Sequence, residues 1–466
     1  MLDLLIRDGV LVSADGQTRA DLAIKDGRIV AVGDANVFPQ AERTLDARGR
    51  LVMPGFVDVH VHFNQPVGDV RTNDSWFEGT RAAAFGGTTT IVDFALPPPN
   101  ETPLACVARR MAEAAAEAVV DYGLHACYTQ ATTNERSLAQ VTDLVQMGIP
   151  SVKLFTVYRD MFMASTADIL GVLRALSGVG IAAVHAENAP IVEKLTETFV
   201  AAGQLAPRYH ALSRPHVAEV EAMESVLALA RETHTPLYFV HMSARQARRV
   251  LERARADGVQ VGAEVCPHYL VLTEESYERP DGQNYVCSPP VPSAEDAAEL
   301  WAMLADGTVT SVASDHCCFT LAQKRLGKED FTRTPPGLPG VETRASVLYS
   351  EGVACGRISA SRFVQLVATA PAQLVGLWPR KGHLGVGADA DVVLFDPATD
   401  WIVHASDLHM ATDYTPYEGF SVRGRPTTVV SRGEVVVANG TFSGPAGRGQ
   451  FIPRTIDQGV LSALLG

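Results

Sequence analysis

The pair His60 and His62 is the first feature of the sequence that could do chemistry. Both histidines follow an apolar run, residues 51–57, so we interpret them as the end of a buried strand. Alternate side chains of a strand point to the same face, so the two imidazoles can bind one cation. Imidazole is a preferred ligand of zinc and its neighbours. Two histidines do not complete a coordination shell, and such a pair alone is more often structural.

Further residues of metal-binding type lie at the ends of later predicted strands. Lys153 lies within an apolar run, His185 and His241 each end one, and Asp315 follows another. In a parallel barrel the carboxyl ends of the strands meet at one face, so we expect these side chains to lie together. The runs that we interpret as strands are residues 54–62, 88–95, 122–129, 151–156, 181–186, 236–242, 260–266 and 309–315.

The elements around these residues predict an α/β fold. Eight short β-branched runs alternate with segments of helical composition, which is typical of a (β/α)8 TIM-like barrel. Short apolar segments at both termini, punctuated by Asp8-Gly9 and Asp26-Gly27, indicate β-hairpins of a small β-sandwich domain built from both chain termini. The predicted domains are the N-terminal part of the small domain at 1–52, the barrel at 53–378, the C-terminal part of the small domain at 379–440 and a C-terminal tail at 441–466.

Composition narrows the classes of partner. Hydrophobic residues make up 47% of the 466 residues, which is typical of a globular protein. The net charge of −14 argues against nucleic acid and anionic membranes as partners, because both require clustered Lys and Arg. Seven scattered cysteines do not indicate a disulfide framework, and no apolar run approaches the roughly 18 residues of a membrane span. We therefore expect a cytoplasmic protein.

Several longer strings resemble one known family. They match the dihydropyrimidinase and hydantoinase branch of the amidohydrolase superfamily of cyclic amidases, and the resemblance runs from the first hairpins to about residue 440. The strings are Gly86-Gly87-Thr88-Thr89, His185-Ala186-Glu187-Asn188, Cys266-Pro267-His268-Tyr269-Leu270, Tyr285-Val286-Cys287-Ser288-Pro289-Pro290, Asp315-His316-Cys317, Pro379-Arg380-Lys381-Gly382 and Asp413-Tyr414-Thr415-Pro416-Tyr417-Glu418-Gly419.

The resemblance implies a binuclear metal centre. Its ligands would be His60, His62, Lys153, His185, His241 and Asp315. Zinc is the expected metal, with manganese or cobalt as alternatives. In this family the lysine is carboxylated by CO2 to N6-carboxylysine, so Lys153 would become an anion that bridges both ions. A bridging hydroxide would then open the cyclic amide of a dihydropyrimidine or 5-substituted hydantoin to give an N-carbamoyl amino acid.

The resemblance also implies roles around the metals. Asp315 would act as general base and then general acid, and the hydroxyl of Tyr158 would stabilise the oxyanion. Backbone groups of Ser288, Pro336 and Gly337 would bind the imide edge of the ring. Pro336 stands where the family usually has asparagine, and proline has no N–H to donate.

Two loops are expected to surround the substituent on the substrate ring. Their largely apolar character favours neutral substituents over carboxylates, whose desolvation would be uncompensated. The residues expected to form this wall are Phe63, Val67, Met161, Phe162 and Met163. Seven other histidines, His210 among them, are expected to be structural.

Other functions within the same fold remain open. An allantoinase-like hydrolase of cyclic ureides is the main alternative. A dihydroorotase is disfavoured because Asn64 stands where that enzyme has an arginine for the substrate carboxylate. A non-catalytic structural relative is disfavoured because all six ligand positions are filled. The resemblance further implies a homotetramer.

Overall fold

Eight parallel strands form the central sheet of the computed structural model, which describes residues 1–466. Neighbours in this sheet follow the order of the chain. The strands are rich in Val, Ile and Ala and are buried along their whole length, as expected where helices cover the outer face. We number them barrel strands one to eight. They are Phe56–Val61, Thr88–Ala95, Asp121–Cys127, Ser151–Phe155, Ile181–His185, Leu237–Phe239, Val261–Val265 and Ser311–Val312.

The first and last strands meet and close the sheet. Val61 and His316 form a parallel bridge, and the His62 N–H donates to the His316 carbonyl over 2.8 Å. The Ser314 hydroxyl donates to the His60 carbonyl over 3.2 Å. The predicted (β/α)8 barrel is therefore confirmed.

Helices follow most of the barrel strands and pack around the outside of the sheet. Serine capping boxes begin three of them, at Ser75, Ser165 and Ser293, and so fix where the preceding loops end. No helix is both long enough and apolar enough to cross a lipid bilayer. The α-helices are Trp76–Phe85, Pro103–Glu117, Glu135–Ala139, Val141–Gln146, Thr166–Leu176, Ala189–Ala201, Arg208–Leu212, His216–Thr233, Ala247–Ala256, Pro267–Val271, Ala294–Asp306, Leu321–Lys324, Arg344–Leu348, Ala360–Val364, Ala370–Leu374 and Gln458–Leu465.

Two further sheets form the small domain from both chain termini. Leu4, Ile24, Val52 and Leu394 belong to one buried cluster between them, so the predicted β-sandwich is confirmed. The first sheet contains Leu2–Arg7, Asp21–Lys25, Arg28–Gly33 and Ala41–Asp46. The second contains Val10–Ser13, Gly16–Arg19, Leu51–Pro54, Val392–Ile402, Ser421–Ser431, Glu434–Ala438 and Thr441–Phe442.

One of the two predicted Asp-Gly hairpins is wrong. Asp26-Gly27 does join two paired strands of the first sheet. Asp8-Gly9 instead joins strands that belong to different sheets. Asp8 has a φ of 65°, and a Cβ on Gly9 would lie 2.4 Å from a Val52 methyl group. The Asp-Gly signal marks backbone in the left-handed region, which a crossover between sheets needs as much as a hairpin does.

The last 26 residues, 441–466, are not a free tail. The Gln450 carbonyl accepts from the Tyr122 N–H over 2.9 Å, at the start of barrel strand three. Arg454 is 1% exposed and donates to the Ser151 hydroxyl over 2.9 Å. Leu461 and Leu465 are buried in the cluster that lines the same end of the barrel. The segment therefore closes the amino-terminal end of the barrel, opposite the predicted site.

Candidate metal centre

The six expected metal ligands lie together at the carboxyl ends of five barrel strands. The Nε2 atoms of His60 and His62 lie 3.0 and 3.2 Å from Oδ1 of Asp315. The ring centroids of His185 and His241 are 4.4 Å apart, and those of His60 and His241 are 5.2 Å apart. The fold thus brings His60 and Asp315, which are 255 positions apart in the sequence, into one cluster.

The hydrogen bonds of His60 indicate a place for a cation. Its Nδ1 lies 2.7 Å from Oε1 of Glu264, so Nδ1 carries a proton, and Nε2 is an acceptor when the imidazole is neutral. That acceptor faces a carboxylate oxygen of Asp315 at 3.0 Å. Burial alone would lower the pKa of His60, but the Glu264 and Asp315 carboxylates raise it to about 9. A divalent cation would satisfy the same two acceptors, and it would do so without a proton.

Three buried polar atoms of the cluster have no hydrogen-bond partner. His60 Nε2, Lys153 Nζ and His241 Nδ1 are buried and form no hydrogen bond. Such atoms are costly to bury unless a ligand satisfies them. Burial also lowers the pKa of His185 and of His241, which keeps both imidazoles in the neutral state that binds metals. This donor set fits a metal centre.

Lys153 lies in a buried environment that disfavours the charged form of its amine. It is fully buried, and its Nζ lies 4.9 and 5.0 Å from the centroids of the Phe94 and Phe155 rings. Burial lowers the pKa of Lys153 to about 8, against the opposing carboxylates of Asp315 and Glu264. The lowered pKa gives this amine a larger neutral, nucleophilic fraction at physiological pH than an exposed lysine has.

Two glutamates that the sequence analysis did not single out orient the histidines. Glu264 accepts from His60, from the His241 N–H over 3.0 Å and from the Tyr238 hydroxyl over 2.7 Å. Glu187 lies 2.7 Å from Nε2 of His185, which leaves the Nδ1 of that histidine free. Carboxylates in this position fix the tautomer and the direction of a metal-binding imidazole. Glu187 stands within one of the family strings, but only the fold shows what it contacts.

Three of the expected site residues have left-handed backbone. The φ angles are 40° at His241, 46° at Asp315 and 70° at Tyr158. For residues with a side chain, such angles cost on the order of 1–3 kcal/mol each and persist where the surroundings enforce them. All three follow the end of a barrel strand, so the strained turns direct these residues into the site.

A cavity of about 530 Å³ opens above the cluster. Seven of the residues expected to contact substrate line it. They are Val67, Tyr158, Met161, Phe162, Ser288, Pro336 and Gly337. The exposed side chains of Asp69 and Arg333 also line the cavity, so its wall is less uniformly apolar than expected.

Phe63 and Met163 do not line this cavity, which corrects two predicted wall residues. Phe63 is fully buried, and its ring packs against those of Trp76 and His316. The Phe63 N–H donates to Asp93, which turns the chain inward directly after His62. Met163 is partly buried beside the cavity.

His210 and Arg214 line the cavity although the sequence analysis gave them no role there. Burial lowers the pKa of His210 to about 3, so its ring is neutral and Nε2 can donate to the Cys287 carbonyl over 2.8 Å. The Arg214 guanidinium donates to Glu187 over 2.6 Å and lies 5.6 Å from the centroid of the Tyr158 ring. The contact of His210 is the structural kind that was expected, and it holds the segment that carries Ser288 at the wall of the cavity.

A second buried group of metal-binding residues has a structural explanation. Asp74, His316 and Cys318 bring their polar atoms close together. His316 Nε2 lies 2.5 Å from Asp74, and His316 Nδ1 accepts from the Gly340 N–H over 3.0 Å. The Cys318 thiol donates to Asp74 over 3.0 Å. Each polar side chain already has a protein partner, so the group anchors the loop around Gly340.

Comparisons with known proteins agree with this geometry. The model of the amidohydrolase family matches residues 51–436. The D-phenylhydantoinase of Escherichia coli O7:K1 is 43% identical over 460 residues, covering 97% of this chain and 98% of that protein. The crystal structure of dihydropyrimidinase from Brevibacillus agri has a TM-score of 0.95 and 39% identity, covering 98% of this chain and 100% of that one.

A more distant solved structure has the same fold. The L-hydantoinase (dihydropyrimidinase) from Arthrobacter aurescens has a TM-score of 0.91 and 32% identity, covering 97% of this chain and 100% of that one. The chain therefore belongs to the amidohydrolase family, in the group of cyclic amidohydrolases that includes the dihydropyrimidinases and hydantoinases.

Proposed function

We propose that this protein hydrolyses the cyclic amide bond of dihydropyrimidines or 5-substituted hydantoins to N-carbamoyl amino acids. The observation that carries the proposal is that the six expected ligand residues lie together at a cavity that Tyr158, Ser288 and Gly337 also line. The similarity to D-phenylhydantoinase along nearly the whole chain supports the same activity.

The proposal includes two divalent metal ions, with zinc as the expected metal. His60, His62 and Asp315 would hold one ion, and His185 and His241 the other. Carboxylation of Lys153 by CO2 would give the anion that binds both, and the buried Nζ without a partner supports this assignment. When bound, the ions lower the pKa of water and polarise the substrate carbonyl.

Asp315 is the proposed proton carrier. Although burial favours its protonated form, His60 and His62 hold the pKa of Asp315 well below its usual range. The carboxylate is therefore ionised at neutral pH and can accept the proton of the attacking water. It can then return that proton to the ring nitrogen that leaves, as a general base followed by a general acid.

Tyr158 is the proposed donor to the oxyanion. Burial raises the pKa of its hydroxyl, so the proton remains available for donation at neutral pH. Ser288 and Gly337 would bind the imide edge of the ring through backbone groups. Pro336 can contribute only its carbonyl oxygen, because its nitrogen carries no hydrogen.

The lining of the cavity supports neutral substrates with an apolar substituent. Val67, Met161 and Phe162 line it, and a volume of about 530 Å³ accommodates a ring with an aryl group. Methionine adapts to substituents of different shape.

A substrate panel tests this function. On the metal-loaded enzyme, dihydrouracil, hydantoin or 5-phenylhydantoin should exceed allantoin and dihydroorotate in kcat/KM by at least about tenfold, or about 1.4 kcal/mol. Allantoin or dihydroorotate as the best substrate would contradict the proposal.

The homotetramer is also part of the proposal and has its own test. Light scattering should give a mass four times that of the 49.9 kDa chain. A mass equal to one chain would contradict a tetramer without affecting the proposed chemistry.

A further inference from the structure

Lys324 is a buried lysine that the proposed chemistry does not use. Its side chain is fully buried, at 0% exposure, and it forms no ion pair. Its Nζ donates to the Val286 carbonyl over 2.8 Å and to the Pro335 carbonyl over 2.9 Å. Both acceptors are backbone groups, and they belong to two separate segments of the chain.

Those two segments are the ones proposed to bind the substrate ring. Val286 lies two residues before Ser288, and Pro335 directly precedes Pro336 and Gly337. The Gly337 N–H also donates to the Val286 carbonyl, over 3.0 Å. Lys324 and Gly337 therefore share one acceptor, and together they join the segments side by side at the wall of the cavity.

Burial of the Lys324 amine costs free energy, as its surroundings show. Burial lowers its pKa to about 7. Cys287, Cys317 and His210 are the titratable groups near it. Burial raises the pKa of both thiols and lowers that of His210, so none of the three supplies a charge at neutral pH. The ring of Phe319 lies 5.6 Å from Nζ. An apolar side chain would avoid this desolvation cost but would leave the Pro335 carbonyl without this donor, so the two hydrogen bonds are what a lysine adds here.

We propose that Lys324 is a positioning residue for substrate binding, which holds residues 286–288 and 335–337 at the spacing their backbone groups need to bind the ring. The inference rests on the proposed function and deepens it. Lys324 touches neither the metal ligands nor the reacting atoms. Its loss should therefore weaken binding of the ring and leave the metal centre and the chemical step intact.

The substitution Lys324→Met tests the inference because it keeps the length of the side chain and removes its donors. With hydantoin as substrate, we expect KM to rise about tenfold or more and kcat to change less than about threefold, since the two hydrogen bonds that hold the Val286 and Pro335 carbonyls are lost. Bound metal should stay at the wild-type level. The matched control is Lys328→Met, an exposed lysine four residues further along the chain, which should keep both constants.

A rescue experiment separates positioning from general packing. In Lys324→Ala, ethylammonium can occupy the space of the missing head group, and it should lower KM towards the wild-type value. Acetonitrile at the same concentration should not, because it is of similar size and has no hydrogen-bond donor. Equal rescue by acetonitrile would show that the lysine only fills space, and would overturn the inference.

The other possible results for the Lys324 variants also support or overturn the inference. A wild-type KM in folded Lys324→Met would overturn the inference while wild-type turnover of hydantoin still supported the proposed function. If the wild-type enzyme did not hydrolyse hydantoin, both the inference and the proposed function would be contradicted. If Lys324→Met does not fold, Lys324→Gln keeps an uncharged amide donor on a shorter side chain and should show an intermediate KM. Failure of the glutamine variant to fold as well would show that the lysine serves folding, not binding.

Discussion

Among single residues, Lys153 is the subject of the most specific prediction. Lys153→Ala should lose most of the bound metal and nearly all activity, because both proposed ions lose their shared anion. Acetate should partly restore both, since a small carboxylate can occupy the bridging place. Metal analysis with and without acetate measures this, with Lys194→Ala, an exposed lysine, as the control. Wild-type metal content in the alanine variant would refute the carbamate.

Glu264 offers a second test at this scale. Glu264→Gln keeps the size of the side chain but removes the charge that holds the proton on Nδ1 of His60. We expect metal affinity to fall by about 10- to 100-fold with the fold retained. Retention of metal during dialysis against a chelator measures this. Glu275→Gln, at an exposed position, should behave as wild type. Equal retention in both variants would show that Glu264 does not support the centre.

The clustering of the expected ligands could be predicted from the sequence, whereas the residues that support them could not. His60, His185 and Asp315 stand at the ends of apolar runs, so their positions follow from local pattern once a barrel is inferred. Glu264 contacts His60, which lies 204 residues away in the sequence. His210 contacts Cys287, which lies 77 residues away. No local pattern contains that information.

At the scale of elements, the loop after barrel strand four sets the wall of the cavity. Phe162 lines the cavity, with its ring centroid 6.0 Å from that of Tyr158. Phe162→Ala should lower kcat/KM about tenfold for 5-phenylhydantoin and less than about threefold for dihydrouracil, because only the aryl group loses its contact.

The same loop provides the control for this prediction. Met163 is adjacent in sequence but does not line the cavity, so Met163→Ala should not distinguish the two substrates. Equal losses for both substrates in Phe162→Ala would mean that the side chain supports the fold of the loop and not the substituent.

Phe63 shows why the wall could be predicted only in part. Strand alternation holds through His60 and His62, but Asn64 has a φ of 49° and the chain leaves the strand there. Asp93 and Arg110 bind the backbone of Phe63 and turn its ring into the core. A loop direction set by buried polar groups of later elements cannot be derived from the loop sequence.

At the scale of the whole molecule, the C-terminal segment is part of the barrel. Leu461 is fully buried against the amino-terminal end, whereas Leu464 in the same helix is only partly buried. Leu461→Ala should cost about 2–5 kcal/mol, and Leu464→Ala clearly less. Denaturant unfolding of both variants measures the difference. Equal and small losses would mean that the segment behaves as the tail expected from sequence.

The barrel and the β-sandwich could be predicted because their periodicities are regular over many elements. The path of residues 441–466 could not, because its docking depends on single residues. Arg454 is one of them, and it donates to the Ser151 hydroxyl and the Val375 carbonyl inside the closed end. A buried arginine without a carboxylate partner has no signature in sequence that separates it from an exposed one.

The proposed ring opening depends on bound metal, and this dependence can be measured on the wild-type protein. Wild-type protein is incubated with 5-phenylhydantoin before and after removal of metal by a chelator, and the product is identified by mass spectrometry. We expect the ring-opened N-carbamoyl amino acid, heavier than the substrate by one water, from protein with about two divalent ions per chain. Turnover should stop on metal removal and return with zinc. Turnover that survives metal removal, or a metal-loaded protein that opens no ring, would contradict the account.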